Sequence, residues 1–337
     1  MTSVTRLGTM VGMRILIIGG TRFVGRHITG AAIAAGHEVS LLHRGRTGPG
    51  LFPEAEHLTA DRDGDLSVLH DRQWDATIDV SAYLPSQVTS LSGALSTGQY
   101  AFISSTAVYR TPEARGFTED SPLAEIDGPV PETVTGETYG ALKVLCERAA
   151  AEAFGFPTLV VRPTYVIGPH DHTGRFTYWV NRIARGGEVL APGDPGDPIQ
   201  VIDGRDMAAW IVSMVEGTHP GTFHAVSPPP PFSFGDMLEA IAAEVGPPGT
   251  TLTWVGQDFL LAEGETGRSL PLWSEGDPWM SVNTADPTAA RAAGLDPRPL
   301  GQSIREIREA ESSFSTDATI TPAREAELLS RWSERGA

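Results

Sequence analysis

Thr138-Tyr139-Gly140-Ala141-Leu142-Lys143 sets a phenol and an ammonium four residues apart. On a helix that spacing puts both side chains on one face. Lys143 is the only lysine of the chain; the other 24 of its 25 Lys and Arg residues are arginine. Where guanidinium serves every other cationic position, one retained ammonium points to a site that needs a compact charge. A free phenol titrates near ~10. A fixed cation beside it favours the phenolate, so such a pair can exchange a proton with an oxygen near neutral pH. The same spacing also occurs on solvated helices, and the motifs around it have to decide between the two.

The segment Ile17-Ile18-Gly19-Gly20-Thr21-Arg22-Phe23-Val24-Gly25 reads as a strand, a glycine turn and the start of a helix. Glycines let the backbone approach a pyrophosphate, and a helix N-terminus supplies N–H donors and a positive dipole end. Gly19, Thr21, Arg22, Phe23, Val24 and Gly25 are therefore the expected phosphate cradle. The next strand ends in Leu41-Leu42-His43-Arg44, with Arg46 just beyond and no Asp or Glu at the tip. An acid there would bind a free ribose 2′-hydroxyl, whereas Arg accommodates a 2′-phosphate. His43 and Arg44 thus predict NADP(H) as the preferred cofactor, with NAD(H) as the alternative.

These residues need strands and helices to position them, and the first half of the chain alternates the two. Strand patterns are read at Arg14–Ile18, Glu38–Leu42, His57–Thr59, Asp75–Val80, Gln99–Ser104 and Pro157–Val161. Helical spacing covers Phe23–Ala35, Pro85–Leu95 and Glu137–Ala153. This alternation predicts an α/β fold with a doubly wound parallel sheet. Ile199–Ile202 and Met207–Glu216 look like one more strand and helix returning to that sheet. Ala191–Pro198 and Ser227–Pro231 read as loops, and further elements are expected at Phe234–Val245, Thr251–Val255, Asp286–Ala293, Leu300–Ser312 and Pro322–Glu334. The expected organisation is a dinucleotide-binding domain over 13–170 with 199–226 returning to it. A smaller, interleaved C-terminal substrate domain takes 171–198 and 227–315, and a tail helix takes 316–337. Residues 1–12 are expected to be a disordered leader, with Met13 a candidate start.

The chain has 337 residues, is 40% hydrophobic and 20% charged, and carries a formal net charge of -17. That is a globular composition. Its field opposes phosphate backbones and acidic lipid, so nucleic acid and membrane are not expected partners. A single cysteine, Cys146, excludes an intrachain disulfide and fits a reducing cytoplasm. His170-Asp171-His172 invites a metal reading, but three consecutive residues do not easily converge on one ion, so no metal is expected. Trp179, Trp254, Trp273 and Trp279 read as core or interface aromatics.

Three motifs, in order, resemble the extended short-chain dehydrogenase/reductase family of the NAD-dependent epimerase/dehydratase type. They are the glycine turn Gly19–Gly25, the segment Ile103-Ser104-Ser105-Thr106-Ala107-Val108-Tyr109 and the helix Tyr139–Lys143. Arg162-Pro163-Thr164-Tyr165-Val166-Ile167-Gly168-Pro169 and Asp61-Arg62 are weaker matches. Arg22 replaces the middle glycine of the usual turn, a Gly-Gly-Thr-Arg-Phe variant that looks like a branch including plant chloroplast stem-loop-binding proteins and bacterial reductase-like proteins. The resemblance implies a Rossmann-type fold and a Ser105–Tyr139–Lys143 triad. In it Tyr139 is the general acid/base, Lys143 lowers the Tyr139 pKa and holds the nicotinamide ribose, and Ser105 binds the substrate oxygen. Ser105 also reads as a strand-end hydroxyl capping backbone. The resemblance further implies cofactor contacts from Asp61, Arg62, Ser81, Ala82, Ser104 and Pro163, and a homodimer. Thr106, Tyr165, His170 and Arg175 are the expected substrate contacts.

Sugar-nucleotide 4,6-dehydratases typically carry Asp and Glu after the catalytic hydroxyl; here Thr106 and Ala107 stand there, which removes dehydration chemistry. The expected activity is NAD(P)-dependent oxidation or reduction of a carbinol or carbonyl on a hydroxylated small molecule. A nucleotide-sugar epimerase with tightly bound NAD is the alternative. A non-catalytic cofactor sensor or RNA-associated protein is the rival from another class. The stretch 110–135 between Ser105 and Tyr139 is long and reads as a lid or as surface decoration.

Overall fold

Ile15 and Ile17 of the first strand face one helical layer, and Leu16 and Ile18 face the other. That period-2 alternation, with all four side chains buried, is what a strand covered on both faces requires. Each such burial contributes roughly 1.5–3 kcal/mol. The computed structural model describes residues 12–111, 115–155, 158–229, 231–276, 281–310 and 319–335. Most of the expected leader, residues 1–11, and Trp279 lie outside them.

The chain runs β1 (Arg14–Ile18), α1 (Phe23–Ala34), β2 (Glu38–His43), β3 (Glu56–Thr59), β4 (Ala76–Asp79), α2 (Pro85–Ala94), β5 (Tyr100–Ile103), α3 (Tyr139–Phe154) and β6 (Thr158–Pro163). It continues with β7 (Tyr165–Ile167), α4 (Arg175–Ala184), β8 (Glu188–Pro192), β9 (Val201–Asp203), α5 (Gly204–Glu216) and β10 (Gly221–Ala225). Then come α6 (Phe234–Val245), β11 (Thr251–Val255), α7 (Gln257–Ala262), α8 (Thr288–Ala292), α9 (Leu300–Glu309) and α10 (Pro322–Arg335).

Seven strands form a parallel sheet in the order β3-β2-β1-β4-β5-β6-β10. Helices α1 and α5 cover one face, and α2 and α3 the other. This is the doubly wound, Rossmann-type arrangement, with its strand order reversing between β1 and β4. A separate core gathers α4, α6, β8 and parts of α7, α9 and α10 around the buried Phe176, Trp179 and Phe234. Trp273 joins that core and Trp254 packs against it.

Two expectations need correcting. The expected strand Ile199–Ile202 does not return to the large sheet: β9 pairs with β7 in a sheet of its own. The seventh strand is β10, which pairs with β6. Its sequence, Gly-Thr-Phe-His-Ala, has little hydropathy signal, because His224 is fully buried for hydrogen-bonding reasons described below. The stretch expected to be loop from Ala191 holds the end of β8, whose alternation is short and whose partner β11 lies far away in sequence.

Candidate active site

The strands end together at a cleft of about 1550 Å³ whose walls come from the glycine turn, the tips of β2, β4 and β5, the start of α3 and the loops after β6. In an open α/β sheet this is where ligands bind. Gly19 turns the chain at φ 85. Gly25 lets α1 sit on that turn: a Cβ there would stand 2.0 Å from the Gly19 carbonyl oxygen. Arg22 is extended, at φ -131, so this position has no need of the glycine it replaces. Helix α1 begins without a side-chain cap and without an acid in its first turn. Its first N–H groups are thus left for an external anion.

Gly140 does the equivalent work for the proton-transfer pair. A Cβ on it would lie 2.0 Å from the Ala107 carbonyl oxygen, so only glycine lets α3 press against the 105–108 turn. Tyr139 is thereby brought to Ser105. The Ser105 hydroxyl accepts from the Ala107 backbone N–H at 3.1 Å. The capping role and the functional one coexist, since accepting leaves the hydroxyl proton free to be donated. Lys143 is 2% exposed. Its ammonium donates to the carbonyls of Ala82 at 2.9 Å and Ile103 at 2.7 Å, and lies 4.1 Å from the centre of the Phe102 ring. Burial lowers its pKa to about 8.

One expectation fails here. The Tyr139 pKa is not lowered on balance: burial, with the neighbouring Tyr83 phenol, pushes it up, while Ser105 and Arg175 act the other way more weakly. Two of the three ammonium N–H groups are taken by backbone carbonyls. In this state Tyr139 is a protonated phenol. It is an acid ready to donate, and a weak base.

A buried polar chain stands behind the site. Ser104 donates to Glu147 at 2.5 Å, and Glu147 is gripped by Arg162 through two bonds of 3.0 and 2.6 Å. Arg162 also donates to the Tyr109 hydroxyl at 2.5 Å. The Nδ1 of His224 faces the Asp286 carbonyl at 3.0 Å and must donate to it, so its Nε2 accepts from Tyr109 at 2.5 Å. This chain ties α3, β5, β6 and β10 together under Ser105.

Residues 70–225 match the model of the NAD dependent epimerase/dehydratase family. Over that span, a little under half of its length, the chain is similar to that family. Among curated proteins it is similar to the chloroplast stem-loop binding protein of 41 kDa b from Arabidopsis thaliana, 24% identical over 224 residues, 60% of this chain. The match spans 55% of that plant protein, little more than half its length. Among solved structures it is similar to human epimerase family protein SDR39U1 (isoform 2) with NADPH, at TM-score 0.63 and 20% identity over 88% of this chain and 99% of that one. It is also similar to UDP-glucuronic acid 4-epimerase from Bacillus cereus in complex with NAD, at TM-score 0.63 and 15% identity over 89% and 98%.

Within this Rossmann-type fold, most of the expected site residues line the cleft. They are Gly19, Thr21, Arg22, Phe23, Val24, His43, Arg44, Asp61, Arg62, Ser81, Ser104, Ser105, Thr106, Tyr139, Lys143, Pro163, Tyr165 and Arg175. Three expected ones do not. Gly25 lies beneath the turn, Ala82 is fully buried with its carbonyl taken by Lys143, and His170 is exposed outside the cleft, stacked on His27 at 6.0 Å. His170 has φ 68, which reverses the chain direction and gives the cleft to His172 instead. The two histidines diverge, and among the described residues no His/Cys/Asp/Glu cluster could hold a metal.

Arg62 lines the cleft, but its guanidinium is bidentate to the buried Asp79 at 2.8 and 2.7 Å. Burial opposes ionisation of Asp79, yet Arg62 and the Tyr100 hydroxyl hold its carboxyl below the usual range. Cleft residues not expected from sequence include Tyr83, Tyr109, Glu125, Asp127, Glu137, His172 and Asn283. Tyr83, an exposed aromatic 6.2 Å from the Tyr139 ring, was a findable signal; Asn283 carried none. Part of the long 110–135 stretch, from Pro122 to Asp127, forms cleft wall.

Proposed function

We propose that the chain is an NAD(P)-dependent oxidoreductase acting on a carbinol or carbonyl of a hydroxylated small molecule, with NADP(H) preferred. The observation that carries this is the meeting of Ser105, Tyr139 and Lys143 in the cleft that begins at the glycine turn. A bound nicotinamide would supply or accept the hydride. The uncapped start of α1 and Arg22 suit its phosphates, and Arg44 and Arg46 beside the β2 tip suit a 2′-phosphate. Tyr139 donates a proton to the carbonyl oxygen in reduction and takes one from the carbinol in oxidation. Ser105 orients that oxygen through its free hydroxyl proton. Lys143 fixes the ends of β4 and β5 and keeps a positive charge beneath the site.

A substrate screen with NADPH and NADH, followed at the nicotinamide absorbance with Tyr139→Phe as control, tests this reading. Turnover that survives the substitution would contradict it. The second reading is a nucleotide-sugar epimerase with tightly held NAD, supported by the family match and by the names of the structural relatives. Purified protein carrying one NAD per chain, with no net turnover of added cofactor, would select it. Stem-loop binding, named for the plant relative, is opposed here by a net charge of -17.

A further inference from the structure

The loop after β7, Pro169–Thr173, is anchored more firmly than a connection requires. His27 of α1 donates from Nε2 to the Pro169 carbonyl at 2.9 Å, and His170 stacks on the same ring. Asp171 is 2% exposed and accepts from the Thr173 backbone N–H and hydroxyl, both at 2.8 Å. Between these fixed points His172 is exposed. Its ring stands edge-on to Phe23, the first residue of α1, at 6.1 Å. It lines the same cleft as Gly19, Thr21 and Arg22. Among the described residues no hydrogen bond reaches its ring. Its partial burial, then Arg22 and Arg175, lower its pKa against the opposing pull of Asp171.

A dinucleotide pyrophosphate carries two phosphates, and the backbone amides of one helix start satisfy only part of their acceptor capacity. We infer that the Pro169–Thr173 loop is a strap across the cofactor pyrophosphate and that His172 is a further phosphate-binding residue, adding a ring N–H to the donors of α1 and Arg22. This rests on the cofactor reading above.

Fluorescence titration of the full chain with NADPH and NADH tests it. For the tighter-binding cofactor, His172→Ala is expected to raise Kd roughly 5- to 20-fold, the loss of one hydrogen bond to a charged group. His172→Gln, which keeps an N–H donor, should restore part of that loss. His219→Ala, away from the loop and the cleft, should stay within about twofold, and the melting temperature of ligand-free His172→Ala should match wild type, since the ring is exposed. A His172→Ala affinity within about twofold of wild type, or an equal loss in His219→Ala, overturns the inference. If wild type binds neither NADPH nor NADH, the cofactor reading falls first and takes the inference with it.

Discussion

Lys143 of α3 donates to the carbonyl of Ile103, the last residue of β5, at 2.7 Å, two residues before Ser105. The chain's one ammonium therefore locks the end of β5 to the helix that carries Tyr139, and it does so from a site closed by the Phe102 ring. A guanidinium is larger and planar and cannot use the same two converging carbonyls. Lys143→Arg and Lys143→Met are both expected to reduce kcat by at least about 100-fold, measured at the nicotinamide absorbance once a substrate is in hand.

The same burial has a pH signature. Lys143 titrates near pH 8 when folded, below its ordinary value of 10.5. Between those values the unfolded chain holds a proton that the folded chain has released, so folding stability gains with rising pH. Compared with Lys143→Met, wild type should gain about 3 kcal/mol of relative stability from pH 8 to pH 10.5 in paired urea melts. A flat difference would show that the amine is not desolvated.

Tyr139 is raised, not lowered, by its surroundings, burial first. Carbonyl reduction needs the protonated phenol and should hold its rate through neutral pH. Alcohol oxidation needs the phenolate and should climb steadily as pH rises above neutral. Opposite profiles for the two directions, both erased by Tyr139→Phe with cofactor binding retained, are the expected kinetic record.

Arg44 and Arg46 line the cleft beside the tip of β2, and the proposed preference for NADP(H) has them meet its 2′-phosphate. Replacing both with alanine should weaken NADPH binding by at least about tenfold while leaving NADH within about twofold, as titration of the two cofactors would record.

Glu147 and Arg162 are buried together beneath Ser104, with side chains 9% and 5% exposed. Removing one leaves the other a buried, unpaired charge. Arg162→Met should cost about 3–5 kcal/mol of stability by chemical denaturation, and the double variant Arg162→Met/Glu147→Leu should recover much of it.

What could be read in advance was local. The cradle Gly19–Gly25 and the pair Tyr139–Lys143 are short motifs whose geometry follows from one turn or one helix, and β1 shows its burial in an unbroken apolar run. What escaped was set by distant partners. Strand β10 pairs with β6 across some sixty residues and hides a buried histidine that exists to bond Tyr109 and Asp286. Asn283 reaches the cleft from a segment bolted to Gln200 and Gly116, contacts no local pattern announces. His170 takes a positive φ that the sequence does not announce, and the two histidines pack on different rings. The environment of Lys143 was misjudged for the same reason: its carbonyl partners lie 61 and 40 residues upstream.

The most direct test is a crystal structure of the chain with NADPH. The account predicts the phosphates at the start of α1 and the nicotinamide end beside Tyr139, with its ribose within hydrogen-bond reach of Lys143. A dinucleotide bound elsewhere, or a nicotinamide ring turned away from the Tyr139 hydroxyl with Lys143 still held only by Ala82 and Ile103, would contradict it.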